Sequence, residues 1–407
     1  MNRQAVGGGA LLAALVVLLI ASGIALAAGE ILHATKMRAQ QHGITALARA
    51  RAALIGYAAH YPEMHAGQGV GYLPCPDQGN DGSAWGSCHI RDHGALGRFP
   101  YRTLGLPVLQ DGGGQCLWYA LAGSVKNNPK PMALNWDSPG QFKIVDTAGH
   151  ALTAGHDAVA VLIAPGEPLP GQRRPSSTNS QRCAGSANVD FDLPLFLDRH
   201  YPNDIAGEIV IISGLPGSDA NDIVSWITID DLFAAIRRRP DFPANIDEVL
   251  ATAAAGLESQ FDSAERLATF LAAHASQIHA NRAHGLLPDA KALGFAPGSQ
   301  YDNWHNQSRF VACIDGRACL EVNLADSPAS PRTTERCRAL VLFGGERQRG
   351  ATAQYRRTAA ERADPAQYLE GGNLDSFTTG SGIYDGYRHL NITPNRPASE
   401  DLIRCIP

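Results

Sequence analysis

Charge of either sign is scarce in this chain, and no segment is strongly basic. Charged residues make up 18% of the sequence, the formal net charge is −5, and the longest basic run is Arg237-Arg238-Arg239. Domains that bind nucleic acids cluster lysine and arginine on one face. The composition therefore argues against a nucleic-acid partner.

The sequence also lacks the short motifs of common enzyme classes. It contains no nucleophile elbow, zinc-protease helix motif, phosphate-binding loop or dinucleotide fingerprint. Glu167 and Glu346 recur at the ends of equivalent predicted strands, with Arg173 and Arg356 close behind, which predicts structural ion pairs rather than acid/base catalysis. We therefore expect a protein without enzymatic activity.

No two cysteines have the CxxC spacing of zinc sites. The eight cysteines form an even set spread over the chain from Cys75 onward, which indicates disulfides and an oxidising compartment. Closeness in sequence favours pairing Cys75 with Cys88 and Cys313 with Cys319, and it leaves the other connections open.

The N-terminal region contains a long stretch without charge. It lies between Arg3 and Glu30, and residues 10–28 are almost entirely Ala, Leu, Val and Ile. A helix of this length crosses a hydrocarbon core of about 30 Å, so we predict a transmembrane anchor at residues 1–29. The bulk of the protein is expected outside the cytoplasm. A cleaved signal peptide is the alternative, because Ala25-Leu26-Ala27 fits a cleavage site.

The remaining chain has the pattern of a duplicated unit. At a constant offset of 214 residues, segments 50–74 and 264–288 share nine identities, including His60 with His274 and His65 with His279. We predict an α+β fold with a first module at residues 30–240 and a duplicated second module at 241–407. Each module is expected to pack a helix, at 30–61 and at about 246–284, on a small antiparallel sheet with long disulfide-bearing loops. Strands are predicted at 142–145, 158–163, 209–213, 224–229, 310–314, 320–323 and 339–343.

One acidic loop and one histidine pair are candidate metal ligands. Asp77, Asn80 and Asp81 place two carboxylates and an amide among glycines, a pattern that suits calcium, although a turn built on Asp side chains has the same sequence. His89 and His93 are spaced as zinc ligands on a helix, but the surrounding residues indicate a loop with exposed histidines. The repeated histidines are expected to interact with helix ends.

Several segments resemble type IV pilins and the pseudopilins of type II secretion. They are the Gly-Gly-Gly-Ala-Leu-Leu start at residues 7–12, the Ala-Leu-Ile-Gly-Tyr-Ala run at 53–58, and segments 71–77 and 98–106, which are similar to large pilin-like proteins of Gram-negative bacteria. The resemblance implies processing between Gly9 and Ala10. It also implies an inner-membrane, single-pass protein with its bulk in the periplasm or on an extracellular filament.

The resemblance carries further expectations about partners and position. Other pilin-like subunits would bind the N-terminal helix, and calcium is the one cofactor that the family suggests. Ala14 stands at the fifth position after Gly9, where pilins carry Glu, and the tip pseudopilin of type II secretion similarly lacks this Glu. We therefore expect a membrane-anchored, non-enzymatic minor pilin or pseudopilin at the tip, or an accessory component, of a type IV pilus or type II secretion filament. The alternative is a stand-alone anchored periplasmic binding module or hydrolase.

Overall fold

A computed structural model describes residues 7–153, 157–175, 183–213, 220–295, 300–348, 354–356, 358–391 and 401–407. Its first element is one continuous helix, α1 (Gly7–Ala59), of 53 residues, followed by the short α2 (Tyr61–Met64). At 1.5 Å per residue, α1 is about 80 Å long. It contains nearly all of the helix predicted at 30–61.

The predicted membrane anchor at residues 1–29 is wrong. In the part of the chain that the structure describes, none of the helices is long and apolar enough to span a membrane. The single-pass placement in the inner membrane is therefore wrong as well. Residues 1–6 of the predicted anchor lie outside the described residues.

In its described residues, the first half of the chain forms a seven-stranded mixed sheet. The spatial order is β5-β1-β2-β4-β3-β6, and β7 also pairs with β4. Only β3 and β6 run parallel among these described pairs. β4 is buried at every position, as its continuous apolar run predicts. The strands are β1 (Gly94–Arg98), β2 (Trp118–Leu121), β3 (Phe142–Val145), β4 (Ala158–Ala164), β5 (Asp204–Ile205), β6 (Ile209–Ile212) and β7 (Ile223–Thr228).

The C-terminal part of α1 packs on this sheet, against β4 and β7. Its buried positions recur every three or four residues, the spacing of one helix face, and are Leu47, Ala50, Leu54 and Ala58. Two more helices belong to this half, α3 (Val189–Phe196) and α4 (Ile229–Ile236). Thr228 and Asp231 form a capping box that starts α4, and Arg51 of α1 pairs with Asp231 at 2.8 Å.

The helix predicted at about 246–284 is wrong in its second part. α5 (Phe242–Glu258) and α6 (Ala264–His274) are separate helices joined by a 3₁₀ turn. The chain then forms a hairpin of β8 (Ala275–His279) and β9 (Arg282–Leu286). This hairpin exists because β9 pairs with the later strand β10, and long-range pairing overrides the local sequence preference.

The second half contains an eight-stranded sheet among its described residues, in the order β12-β11-β14-β15-β13-β10-β9-β8. β14 runs parallel to both of its neighbours. The strands are β10 (Ser308–Cys313), β11 (Leu320–Ala325), β12 (Thr333–Cys337), β13 (Ala339–Phe343), β14 (Ile383–Tyr387) and β15 (Leu402–Ile406). The remaining helices are α7 (Gln300–Trp304), α8 (Ala359–Ala363) and α9 (Gly371–Thr379).

The α+β description holds, but the expected small antiparallel sheets of pilin-like modules are wrong. All seven strands predicted from the sequence occur to within two residues, as β3, β4, β6, β7, β10, β11 and β13. The sheets are larger and mixed because further strands, including the Gly-containing β1 and β14, pair with partners distant in sequence. Local sequence carries little of that pairing information.

All eight cysteines lie within the described residues and form four disulfides. Cys75 bonds Cys88 and Cys313 bonds Cys319, the two pairs that closeness in sequence predicts. The other two bridges close loops of 67 and 68 residues and join Cys116 with Cys183 and Cys337 with Cys405. Four disulfides support an oxidising location outside the cytoplasm.

The two halves share one hydrophobic core. At its centre, Trp136 of the first half lies edge to face with Trp304 of the second half, with ring centroids 4.7 Å apart. Phe233, Phe242 and Phe343 surround Trp136 at centroid distances of 5.8–6.3 Å. Large aromatic side chains dominate packing energies, so this cluster ties the two halves together.

Candidate functional site at the root of helix α1

The N-terminal part of α1 exposes large apolar side chains. Leu12 is 70% exposed and Val17 is 65% exposed, and the others are Leu15, Val16, Leu18 and Leu19. Five of these positions are consecutive, so at about 100° per residue they cover the whole circumference of the helix. A helix that is apolar on all sides is normally covered by other structure. In the described chain these side chains remain uncovered.

A groove of about 790 Å³ lies where α1 reaches the first sheet. Residues between Thr35 and Gly43 of α1 form one wall, and segments 111–113, 164–170 and 221–223 contribute to the others. The loop approaches the helix closely at Gly112, where an added Cβ would collide with the backbone of Ala39. The absence of a side chain at Gly112 therefore allows this loop to approach the backbone of α1 closely.

Asp111 makes the groove wall rigid. Its carboxylate accepts backbone N–H groups of Gly113 and Gln115, each at 2.8 Å, and of Gly166 at 2.7 Å. Burial raises the pKa of Asp111, while these backbone hydrogen bonds oppose the shift. One side chain thereby joins two loops that line the groove.

A buried polar network fixes the first half against the second. The hydroxyl of Tyr72 donates to Oδ1 of Asn303 at 3.1 Å, and the Nδ2 of Asn135 donates to the Asn303 carbonyl at 2.7 Å. The guanidinium of Arg356 pairs with Asp137 at 3.1 Å, with both side chains almost fully buried. Polar and aromatic contacts thus hold the two halves together, and α1 packs on the sheet of the first half.

The loop predicted to bind calcium is closed by its own hydrogen bonds. Asp77 is buried, and its carboxylate oxygens accept N–H groups of Gly79 at 2.8 Å and Gly82 at 2.7 Å. Asp81 accepts from the backbone two residues further on, and Asn80 donates to a backbone carbonyl. These contacts fit the alternative interpretation, a turn built on Asp side chains. The calcium site stays a prediction.

His89 and His93 lie in a loop rather than on a helix, and both imidazoles approach the carboxylate of Asp204 in β5. The Nδ1 of His93 is 2.7 Å from Asp204 Oδ1, and the Nε2 of His89 is 3.0 Å from Asn203 Oδ1. Both histidines are half-buried rather than exposed. Across the described residues, no three His, Cys, Asp or Glu side chains form a group that could hold a metal ion.

The repeated histidines have different surroundings in the two halves. His65 stacks on Tyr61 with ring centroids 3.9 Å apart, and its Nδ1 lies 3.1 Å from the Tyr61 carbonyl. His60 instead lies 3.3 Å from a neighbouring glutamate. His274 is the last residue of α6, and His279 ends β8. Histidines that align in the internal repeat therefore make different local contacts in the two halves.

Arg356 forms an ion pair, but its partner is not the predicted Glu346. Arg356 reaches Asp137 in the other half, and Glu346 instead contacts Arg237 at the end of α4. Both contacts cross between the halves, which one sequence cannot show. Glu167 lines the groove beside α1.

Sequence reasoning missed a buried carboxyl pair in the second half. Burial, followed by the neighbouring Asp401, raises the pKa of Glu370 to about 8, and burial raises the pKa of Asp401 to about 7. The Nδ2 of Asn373 donates to Asp401 at 2.7 Å, and the Nε2 of Gln354 donates to Glu370 at 2.9 Å. The two carboxyls are far apart in sequence, so no local spacing could have revealed them.

No family model, curated protein or solved structure matches this chain.

Proposed function

We propose that this chain is an extracytoplasmic, non-enzymatic subunit of a filament of the type IV pilin or type II secretion pseudopilin kind. The observation that carries this proposal is the N-terminal part of α1, whose described large side chains are apolar and exposed around the whole helix. Helices of other pilin-like subunits would provide the cover that such a helix requires.

A tip or accessory position fits the same features. Ala14 offers no carboxylate that could neutralise the amine of a neighbouring subunit, and a subunit at the tip has no neighbour ahead. The chain after α1 forms two large sheets with four disulfides, which supports a large, stable domain at the tip rather than a small repeating subunit.

Site-specific photo-crosslinking in the native cell envelope tests this proposal. A photoreactive residue at Val17 should cross-link to the helix of another pilin-like subunit or of a second copy, as identified by mass spectrometry. The same residue at Gln41, which is exposed on the packed part of α1, serves as the matched control. Equal cross-linking at both positions, or none at Val17, would contradict a helix-mediated assembly.

The N-terminal mass of the native protein tests processing separately. Gly9 and Ala10 lie in the first turn of α1. A mature chain beginning at Ala10 is the expected result, because pilin-like subunits are trimmed after such a glycine. A chain beginning at Ala28 would remove the apolar part of α1 and rule out the filament proposal.

A binding module is the second candidate, and a groove at the junction of the halves favours it. This groove measures about 480 Å³, and its polar lining includes Asp92, Gln141, Asp289, Asn306 and Arg362. Ligand sites commonly occupy such junctions. Photo-crosslinking that fails at Val17 but succeeds at Gln141 would favour this candidate.

A further inference from the structure

The hairpin of β8 and β9 packs against the segment from α9 to β14, about 100 residues later in the chain. The guanidinium of Arg282 donates to the backbone carbonyl of Gly380 at 2.9 Å and to that of Cys319 at 3.1 Å. Gly380, at φ +74°, lies so close to the hairpin that an added Cβ would collide with the side chain of His279. The hairpin and the later segment thus form a close contact within the second half.

His284 of β9 is fully buried at the centre of this contact. It lies opposite Val311 of β10, so both side chains occupy the same face of the sheet. Val311, Phe377, Tyr384 and Ile403 belong to a second, smaller hydrophobic core inside the second half. The ring centroids of His284 and Phe377 of α9 are 5.0 Å apart. A histidine therefore packs where the surrounding side chains are mostly apolar.

The surroundings of His284 offer few partners to a charged ring. Its Nε2 lies 3.4 Å from the hydroxyl of Tyr384, and burial raises the pKa of Tyr384, so the hydroxyl keeps its proton. Among the described residues, Nδ1 of His284 has no hydrogen-bond partner, although it is closed to solvent. A protonated imidazole carries an N–H on both nitrogens, so one of them would lack an acceptor. The contact therefore favours the neutral ring.

The charged neighbours of His284 also favour the neutral ring. β8 contributes His279, with ring centroids 5.5 Å apart, and β9 contributes the cation Arg282. The carboxylate of Asp385 lies on the exposed face of β14, where it contacts Arg332. Burial, followed by the charges of His279 and Arg282, lowers the pKa of His284 to about 4. A proton on His284 would thus meet positive charge and no carboxylate among these neighbours.

We propose that protonation of His284 separates the hairpin β8–β9 from α9 and β14 and opens the second core in acid. In the closed form His284 takes up a proton only near pH 4, whereas the exposed side chain does so near its ordinary pKa of 6.5. Opening is therefore favoured as pH falls below 6.5, and the effect levels off below about pH 4. Because β8 is the edge strand, the hairpin can separate while the strands from β12 to β10 stay paired. Histidines buried at such contacts are a physical basis for pH switches.

Hydrogen exchange followed by mass spectrometry on the full-length, disulfide-intact protein tests this inference. Protection factors, which correct for the intrinsic exchange rate at each pH, are compared between pH 7 and pH 4. Those of residues 275–286 should fall about 100-fold, the ratio expected from the two pKa values of His284. Those of β4, which is buried in the first half, should not show this fall. Return to pH 7 should restore the protection.

Variants of His284 assign the effect to this side chain. His284→Phe places an apolar ring beside Phe377 and should abolish the acid-dependent fall. His284→Gln should do the same while keeping a polar partner for Tyr384, and it provides a second variant if phenylalanine does not fit the core. His389→Phe is the matched control, because His389 is an exposed histidine of the same half and its loss should leave the fall unchanged.

Three results would overturn the proposal. The first is constant protection of the hairpin between pH 7 and pH 4 in the wild-type protein. The second is an equal fall in β4, which would show unfolding of the whole protein rather than opening of one contact. The third is an undiminished fall in the variants of His284.

Discussion

Two buried acidic groups, one in each half, are stabilised in different ways. In the first half, Asp192 pairs with Arg98 at 2.8 Å, and both side chains are at most 2% exposed. In the second half, Asp401 lies beside Glu370, and their pKa values are raised to about 7 and about 8. The nearest partner of the buried carboxyl therefore differs between the two halves: it is a guanidinium in one and a second carboxyl in the other. The second carboxyl, after burial, is a cause of the raised pKa of Glu370.

The largest effect is expected from breaking the ion pair of the first half. Asp192→Ala would leave the Arg98 guanidinium buried without its carboxylate and should reduce the free energy of unfolding by about 3–5 kcal/mol. Urea unfolding at neutral pH measures this loss. Asp190→Ala is the control, because Asp190 is an exposed residue in the same first turn of α3 and its loss should cost at most about 1 kcal/mol. Similar losses in both variants would show that the buried pair contributes little.

An intermediate effect is expected from the carboxyl pair, and it depends on pH. Glu370 and Asp401 have raised pKa values, so the folded protein holds protons that the unfolded chain releases. Their stabilisation is complete below the ordinary carboxyl pKa of about 4 and is lost as pH rises through about 7 to 8. The free energy of unfolding should fall by on the order of 2 kcal/mol between about pH 5 and pH 9.

Glu370→Gln should flatten this pH dependence, because a neutral amide can donate a hydrogen bond to Asp401 at every pH. Glu265→Gln changes an exposed side chain and is the matched control. Chemical unfolding at a series of pH values compares the two variants. An unchanged slope in Glu370→Gln would mean that the pair does not hold a proton in the folded protein.

The smallest effect is expected from an exposed ion pair. Asp262 and Arg266 lie 3.3 Å apart with both side chains about half exposed or more. Asp262→Ala should change the free energy of unfolding by no more than about 0.5 kcal/mol, since solvent and salt screen such pairs. A loss comparable to that of Asp192→Ala would remove burial as the explanation for the difference between the sites.

Sequence patterns predicted the parts of the fold that depend on neighbouring residues. The apolar run of β4 and the closely spaced Cys75 and Cys88 carry their own local signals. The hairpin after His274 does not, because it depends on pairing between β9 and β10. The aligned segment of the first half remains a helix end and a loop, with Pro62 just after α1. Internal similarity in sequence was thus a poor guide to local structure.

The candidate sites were harder to predict for a similar reason. Glu370 and Asp401 approach one another only after two separate segments of the chain meet. The exposed apolar stretch at the start of α1 could be predicted because it lies within a single helix.

The position of β15 has a consequence for biosynthesis. β15 comes last among the described strands, yet it lies inside the second sheet, between β14 and β13. The sheet therefore cannot close while the ribosome or export machinery still holds residues 402–406. We expect the second half to remain open until β15 has been made, while the first half, whose strands are all made earlier, can already be assembled.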